Sequence, residues 1–171
     1  MPIDGGSKPD LRSSAKGKST EGTGKMGRVY GYDRETGELL WSTPVGRHEN
    51  DELTALTGPT VVFPGTFGGV ITPPAHADGI VYCAVINAPS TYFPNRPGYF
   101  GSDIGTNDGQ VVAIDASSGA ILWDVSVPGD PFGAATVVND LVLTGTFQGQ
   151  IRSEEHTSEL QSLAYLVCRL L

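Results

Sequence analysis

The sequence is poor in cysteine, in cationic side chains and in long apolar runs, and each shortage removes a class of protein. Cys83 and Cys168 are the only two thiols, which gives neither a disulfide framework nor the repeated ligand spacing of a zinc site. Cys83 lies in the apolar run IVYCAVI, where a small buried residue is the plain reading. Lysine and arginine total 11 against 19 acidic residues. Over residues 29–151 the balance is three against thirteen, whereas residues 1–28 carry six cations and three acids. A body this acidic argues against nucleic acid as a partner, since phosphate contacts need clustered Lys and Arg. Solubility accounts for the charge, and a cation or a basic protein would be tolerated. No run is long and apolar enough for a transmembrane segment, and MPIDGGSKPDLRSS lacks the apolar core of a signal peptide. Helix-like runs are few, while 23 Gly and 12 Pro point to an all-β, turn-rich class.

What the chain does have is a repeat. Within the stretch Gly109 to Val125, the segment Ala113 to Trp123 (AIDASSGAILW) aligns without a gap on Gly31 to Trp41 (GYDRETGELLW). Each copy reads as a hairpin: an apolar run, a polar turn, and a second apolar run ending in Trp. Gly37 and Gly119 supply the positive φ of the turn, and the side chains of Asp33 and Asp115 are placed to cap amides within it. Trp41 and Trp123 are the anchors. An indole buries a large area and its single N–H needs a partner, which suits docking between neighbouring sheets.

The shared pattern, A-x-D-x-x-T-G-x-x-x-W, resembles the tryptophan-docking signature of quinoprotein-type (pyrroloquinoline quinone, PQQ) β-propeller blades. The second copy departs from it at Ser118, the first at Gly31. A closed propeller needs at least about four blades of roughly 40–50 residues. The resemblance, over residues 25–151, therefore implies a fragment of a β-propeller: half a blade, one full blade and another half. It further implies a bacterial parent similar to the PQQ-dependent alcohol and glucose dehydrogenases, oxidoreductases acting on CH–OH groups. Such a parent would be periplasmic or secreted, would hold PQQ against calcium near the propeller axis, and would pass electrons to a cytochrome or quinone acceptor. The fragment by itself is expected to be inactive and without cofactor, its partners being the remaining blades. A reading from another class is a non-catalytic propeller scaffold for protein contacts, similar to outer-membrane assembly lipoproteins. The long loops favour the enzyme; the lack of a recognisable quinone ligand favours the scaffold.

Taken in order, RVYGYD and ELLWSTPV read as strands of the first blade, GVITPPA and IVYCAVI as a hairpin turning at Asp78-Gly79, and GQVVAID and AILWDVSV as its completion. GAATVV and LVLTG, turning at Asn139-Asp140, open the next blade. Two long loops, RHENDELTALTGPTVVFPGTF and NAPSTYFPNRPGYFGSDIGTND, swell the repeat from Asp33 to Asp115, and such loops carry function in propellers. The first holds His48, Glu49, Asn50, Asp51 and Glu52. These are candidate calcium ligands by oxygen chemistry, namely Glu49, Asp51 and Glu52, but they lack the spaced pattern of a calcium loop, so a solvated loop or a partner contact are the other readings. The second holds Tyr92, Phe93, Tyr99 and Phe100 among prolines, a stiff aromatic loop that either packs over its blade or docks a partner. His76 follows Pro73-Pro74, which places its strand at an edge or by the axis. Gly22 to Gly27 matches G-x-G-x-x-G, but a polar run precedes it and a strand follows, so a dinucleotide loop is rejected. No catalytic residue is assignable, since three His among so few candidates support no nucleophile–base arrangement.

The two ends obey other rules. Residues 1–24 carry almost no large apolar side chains after Leu11, so they read as a disordered or foreign leader, and STEGT is not expected to be a strand. Residues 152–171, RSEEHTSELQSLAYLVCRLL, resemble the translation of a common short-read sequencing adapter and read as an artefactual tail. By pattern the tail is an amphipathic helix, with Ser158 to Gln161 as a capping box and Leu160, Leu163, Val167 and Leu170 on one stripe.

Overall fold

A computed structural model describes residues 19–155 together with Cys168 and Arg169. Its strands, in chain order, are β1 (Ser19–Gly24), β2 (Arg28–Asp33), β3 (Leu39–Pro44), β4 (Thr60–Val62), β5 (Ala75–Ala77), β6 (Ile80–Ile86) and β7 (Ser90–Phe93). They continue with β8 (Arg96–Gly101), β9 (Gly109–Asp115), β10 (Ile121–Val127), β11 (Thr136–Val138), β12 (Leu141–Gly145), β13 (Gln150–Glu155) and β14 (Cys168–Arg169). All pairings are antiparallel, and no described residue is helical. Three successive sheets, β1-β2-β3, β10-β9-β6-β5 and β11-β12-β13-β14, have the arrangement of part of a β-propeller. A fourth, β4-β7-β8, is built from the two long loops.

The middle sheet is buried on both faces, which is why IVYCAVI has no polar residue to alternate with its apolar ones. Val81, Cys83 and Val85 of β6 and Val112 and Ile114 of β9 join Val29, Val45 and Val70 in one core. The alternate residues, Tyr82, Val111 and Ala113, join Val127, Ala135 and Val142 in the other. Period-two alternation thus sends neighbouring residues of one strand to different blades. Cys83 is fully buried, and desolvation, with a smaller contribution from Glu21, pushes its thiol up to about 12, leaving it chemically inert.

The repeated turns are congruent atom by atom. Asp33 Oδ1 accepts the amides of Glu35 and Thr36, both at 2.9 Å, and Asp115 Oδ1 accepts those of Ser117 and Ser118 at the same distance. Gly37 and Gly119 each donate to the Asp carbonyl at 2.8 Å, with φ of 73° and 74°. The substitution of Ser118 for Thr keeps the hydroxyl's work: Thr36 Oγ1 accepts Glu38 N at 3.2 Å, and Ser118 Oγ accepts Ala120 N at 3.3 Å. One residue before each Trp, the outer strand bulges at the same place, since Gly31 pairs with Trp41 and Ala113 with Trp123 while the next pairs are Tyr32–Leu39 and Ile114–Ile121.

Trp41 crosses to the next blade. Its Nε1 donates to Ala116 O at 3.0 Å, and Thr43 Oγ1 donates to Gly119 O at 2.5 Å. The indole lies so close to Gly119 that a Cβ there would sit 2.6 Å from it. Gly31 is the other half of the fit, because a Cβ on it would lie 2.2 Å from the same ring. Ala113 stands at the equivalent place in the middle sheet, and there Trp123 packs over Ala113 toward Tyr82, ring centroids 5.9 Å apart, in the core shared with the third sheet.

The chain ends differ in part from expectation. Ser19–Gly24 is a strand, paired with β2 from Ser19↔Asp33 to Gly24↔Arg28. Main-chain hydrogen bonding to an available sheet edge needs no apolar side chains, so a strand forms where composition alone argues against it. Residues 1–18 lie outside the described residues. At the other end β13 carries Arg152 to Glu155 as strand, paired with β12, and Cys168 and Arg169 pair with Ile151 and Gln150. The expected helix otherwise falls on residues 156–167 and 170–171, outside those described.

Trp41→Ala should cost about 3 kcal/mol in urea denaturation by loss of the partly buried indole packed against the core. Trp41→Phe, which mainly removes the N–H bond to Ala116, should cost about 1 kcal/mol. A loss below 1 kcal/mol for the alanine variant would show that inter-blade docking does not hold the sheets together.

Candidate functional site at the loop end of the sheets

Antiparallel alternation divides the connections between two ends. One end has only the tight turns 34–38, 78–79, 116–120 and 139–140. The other has 25–27, 45–74, 87–108, 128–135 and 146–149, so every long connection and every candidate ligand in the loops sits there. His76 does not. It is exposed on β5, the edge strand of its sheet, close to the tight-turn end. Gly22 to Gly27 forms the end of β1 and the hairpin turn into β2, with no helix after it.

The two long loops are one structure. Strand β4 of the first pairs with β7 of the second, Val62 opposite Ser90, and β7 pairs with β8. Ser90 is buried and its hydroxyl accepts the Thr66 amide at 2.9 Å, joining the loops a second time. Cross-strand aromatic pairs stiffen this accessory sheet: Tyr92 and Tyr99 at 5.8 Å, Phe93 and Phe100 at 5.6 Å. The Arg96 guanidinium lies 5.0 Å from the Phe100 ring and 5.8 Å from Phe93.

Two residues that sequence reasoning missed fasten this end to the blades. Asn87, just past β6, accepts the Arg47 amide at 2.9 Å and donates to Asp108 Oδ1 at 3.0 Å, so it joins both loops to the middle blade. Asp130 is fully buried; its Oδ2 accepts the Gly105 amide, while Gln148 Nε2 donates to Gly105 O at 2.6 Å. The second long loop is therefore gripped at one residue, Gly105, through its N–H by Asp130 and through its carbonyl by Gln148. Asp130 Oδ1 has no hydrogen-bond partner among the described residues. Neither residue belongs to a periodic pattern, and only the G-D-P turn around Asp130 is visible in sequence.

The acidic cluster is engaged internally. Glu49 takes the Arg47 guanidinium at 2.5 Å, and Arg47 also stacks on Phe63, 4.0 Å from the ring. His48 lies with Nδ1 2.6 Å from Asp51 Oδ2 and Nε2 3.0 Å from Gly27 O, tying the first loop to the first blade's turn. The hydrogen bond from His48 holds the Asp51 carboxyl below the usual carboxylate range. Glu52 is exposed beside them. Between this loop and the accessory sheet runs an open groove of about 610 Å³, lined by Asn50, Asp51, Leu53, Leu56, Tyr92 and Phe93 among others.

These residues do not fit a calcium ion or PQQ. No three His, Cys, Asp or Glu side chains converge as metal ligands among the described residues, and two of the three candidate carboxylates already face cationic or hydrogen-bonding partners. PQQ is planar and carries several carboxylates, yet no lysine or arginine lines the groove. Nor is any described helix long and apolar enough to cross a membrane.

The profile of the PQQ_2 family, described as outer membrane protein assembly factor BamB, matches residues 25–159. The chain superimposes on a europium-containing methanol dehydrogenase with a TM-score of 0.64 at 18% identity, over 89% of this chain and 32% of that one. It superimposes on the quinohemoprotein alcohol dehydrogenase ADHIIG from Pseudomonas putida HK5 with a TM-score of 0.59 at 18% identity, over 81% of this chain and 27% of the other. At such identity the likeness is one of fold, and the chain spans about a third or less of those structures. No curated protein matches the chain.

Asp51 and Asp115 both have carboxyls held below the ordinary range, by His48 and by Ser117 respectively as the first cause. In the acid region the unfolded chain binds more protons than the folded one, so both groups add stability above about pH 4 and lose it as pH falls through their folded values. Unfolding free energy should therefore drop on the acid side of about pH 4, and Asp51→Asn should flatten part of that drop. An acid limb unchanged in Asp51→Asn would remove the His48–Asp51 contact from the account.

Proposed function

Given that the chain belongs to the PQQ_2 repeat family, we propose that it is a stretch of a PQQ-repeat propeller whose parent is a quinoprotein dehydrogenase oxidising alcohols or sugars. The observation that carries this reading is the accessory sheet. A ring that serves only as a framework needs short connections, whereas here residues 45–74 and 87–108 fold together around an open groove at one end of the blades. In such a parent PQQ and calcium are held by residues outside this chain, a cytochrome or quinone takes the electrons, and the location is periplasmic or secreted. This chain's part is to wall the loop end with Leu53, Leu56, Tyr92 and Phe93, which exclude water from whatever lies against them. No step of the oxidation is assigned to its residues.

A second reading, a scaffold for protein contacts, is favoured by the description of the matching family and by the exposed aromatic side chains Tyr99 and Phe100 on the accessory sheet. The two readings part on one experiment. The full-length parent, titrated with PQQ in the presence of calcium and followed by quinone absorbance, should show one saturable site and alcohol- or sugar-dependent reduction of a dye. The 171-residue chain alone should show no saturable site at micromolar PQQ. A parent with neither binding nor turnover, but with a stable complex to an outer-membrane protein, would replace the enzyme by the scaffold.

A further inference from the structure

Among the described residues Asp130 alone carries a fully buried carboxyl. Its Oδ2 takes the Gly105 amide, while Oδ1 has no partner. Burying a carboxyl oxygen without a donor is costly, which directs attention to what that oxygen can reach. Only Cα and Cβ separate the carboxyl from the main-chain carbonyl of the same residue, so attack on that carbon closes a five-membered ring. This carbonyl is the acyl half of the Asp130–Pro131 bond. Its oxygen accepts two main-chain N–H groups, from Phe132 at 2.9 Å and from Phe147 at 2.8 Å. Paired donors at such distances stabilise negative charge as it develops on an acyl oxygen. The first donor closes a three-residue turn over Pro131. The second comes from the turn between β12 and β13, so the pair exists only in the folded chain.

The rest of the segment is set for acyl transfer. Proline makes the leaving group a tertiary amide, whose nitrogen takes up a proton more readily than that of an ordinary peptide. Gly129 before it has φ 96°, and a Cβ on Gly109 would lie 2.4 Å from Pro131, so the proline ring is wedged against the middle sheet. The groups facing the carboxyl are neutral: no Lys, Arg or His pairs with Asp130 among the described residues. Asp103 and Asp108, the titratable side chains of the loop that brings Gly105, are exposed. We propose that Asp130 cleaves its own bond to Pro131. Oδ1 bonds to the Asp130 carbonyl carbon, the C–N bond to Pro131 breaks, and the carboxyl proton passes to the proline nitrogen, leaving a secondary amine and a cyclic anhydride. One water then opens the anhydride to two carboxyls, and nothing is oxidised or reduced. The nick falls between β10 and β11. The two pieces stay together through the core that Tyr82, Val111 and Val127 share with Ala135 and Val142. The reaction belongs to this chain whether the parent is an enzyme or a scaffold.

The test incubates the whole folded chain in a buffer of about pH 5, where carboxyls begin to hold a proton, and follows it by mass spectrometry. Fragments 1–130 and 131–171 should accumulate, and hydroxylamine should trap the anhydride as a hydroxamate on Asp130. Phe147 takes the second position of the turn that Gly149 N–H closes on Thr146 O, a position that accommodates proline. Phe147→Pro therefore deletes one donor to the carbonyl and should slow cleavage about a hundredfold, whereas Phe147→Ala keeps the N–H and should stay within about threefold. Asp130→Ala should stop cleavage, and the Phe147 pair carries the test should that variant not fold. Asp–Pro bonds are also acid-labile in unfolded chains, so urea separates the two origins: unfolding removes the Phe147 donor and should slow the reaction. A chain cut no faster folded than in urea, equal rates for Phe147→Pro and Phe147→Ala, or fragments without trapped hydroxamate would each overturn the proposal.

Discussion

The structure depends on one contact, that of the Trp41 indole with the Ala116–Gly119 turn of the next blade. A single sheet of this kind has two apolar faces and cannot stand in water, so each must be covered by its neighbours. The indole fixes how they meet. Its N–H reaches a carbonyl of the neighbouring turn, its ring fills the space left by two missing side chains, and the adjacent Thr43 hydroxyl takes the next free carbonyl. Gly119 thus has two duties. It provides the left-handed φ that lets Asp115 cap its own turn, and it leaves room for the ring of another blade. The same residue closes a local hairpin and makes a long-range joint, which explains why turn and Trp recur together.

With the blades fixed at the tight-turn end, the opposite end is free to vary, and there the chain spends its long connections. These are not loose. Asn87 and Asp130, with Gln148, hold the second loop to two blades, and the pairing of β4 with β7 holds the loops to each other. A groove bounded by a rigid sheet on one side and a His48-anchored loop on the other is a pre-organised surface. Beside it Arg47 and Arg96 lie over aromatic rings, and Arg47 also pairs with Glu49.

The hairpins, their turn chemistry and the continuous burial of β6 were legible because each rests on residues close in sequence: Asp with Gly four residues on, Asp78 beside Gly79, an unbroken apolar heptad. The groove was legible only as two long loops. That they pair with each other depends on residues 60–62 meeting residues 90–92, a non-local contact that β-propensity in such short segments does not announce. Glu49, Asp51 and Glu52 look alike in a row of acids, and it is the conformation of the loop itself that turns the first to the Arg47 guanidinium two residues back and the second to the His48 imidazole three residues back.

By itself the sequence determined the repeat, and with it the all-β class, the order of the blade hairpins and the turns at one end, since period-two burial and positive-φ glycines are local properties written in the residues. Tertiary structure decided the rest. It made Ser19–Gly24 a strand, because an edge offers hydrogen bonds to any backbone that can reach it. It buried Asp130 at a junction of blades, and it gathered the exposed aromatics at one end, because where a side chain lands across blades depends on how sheets stack and not on its neighbours in the chain.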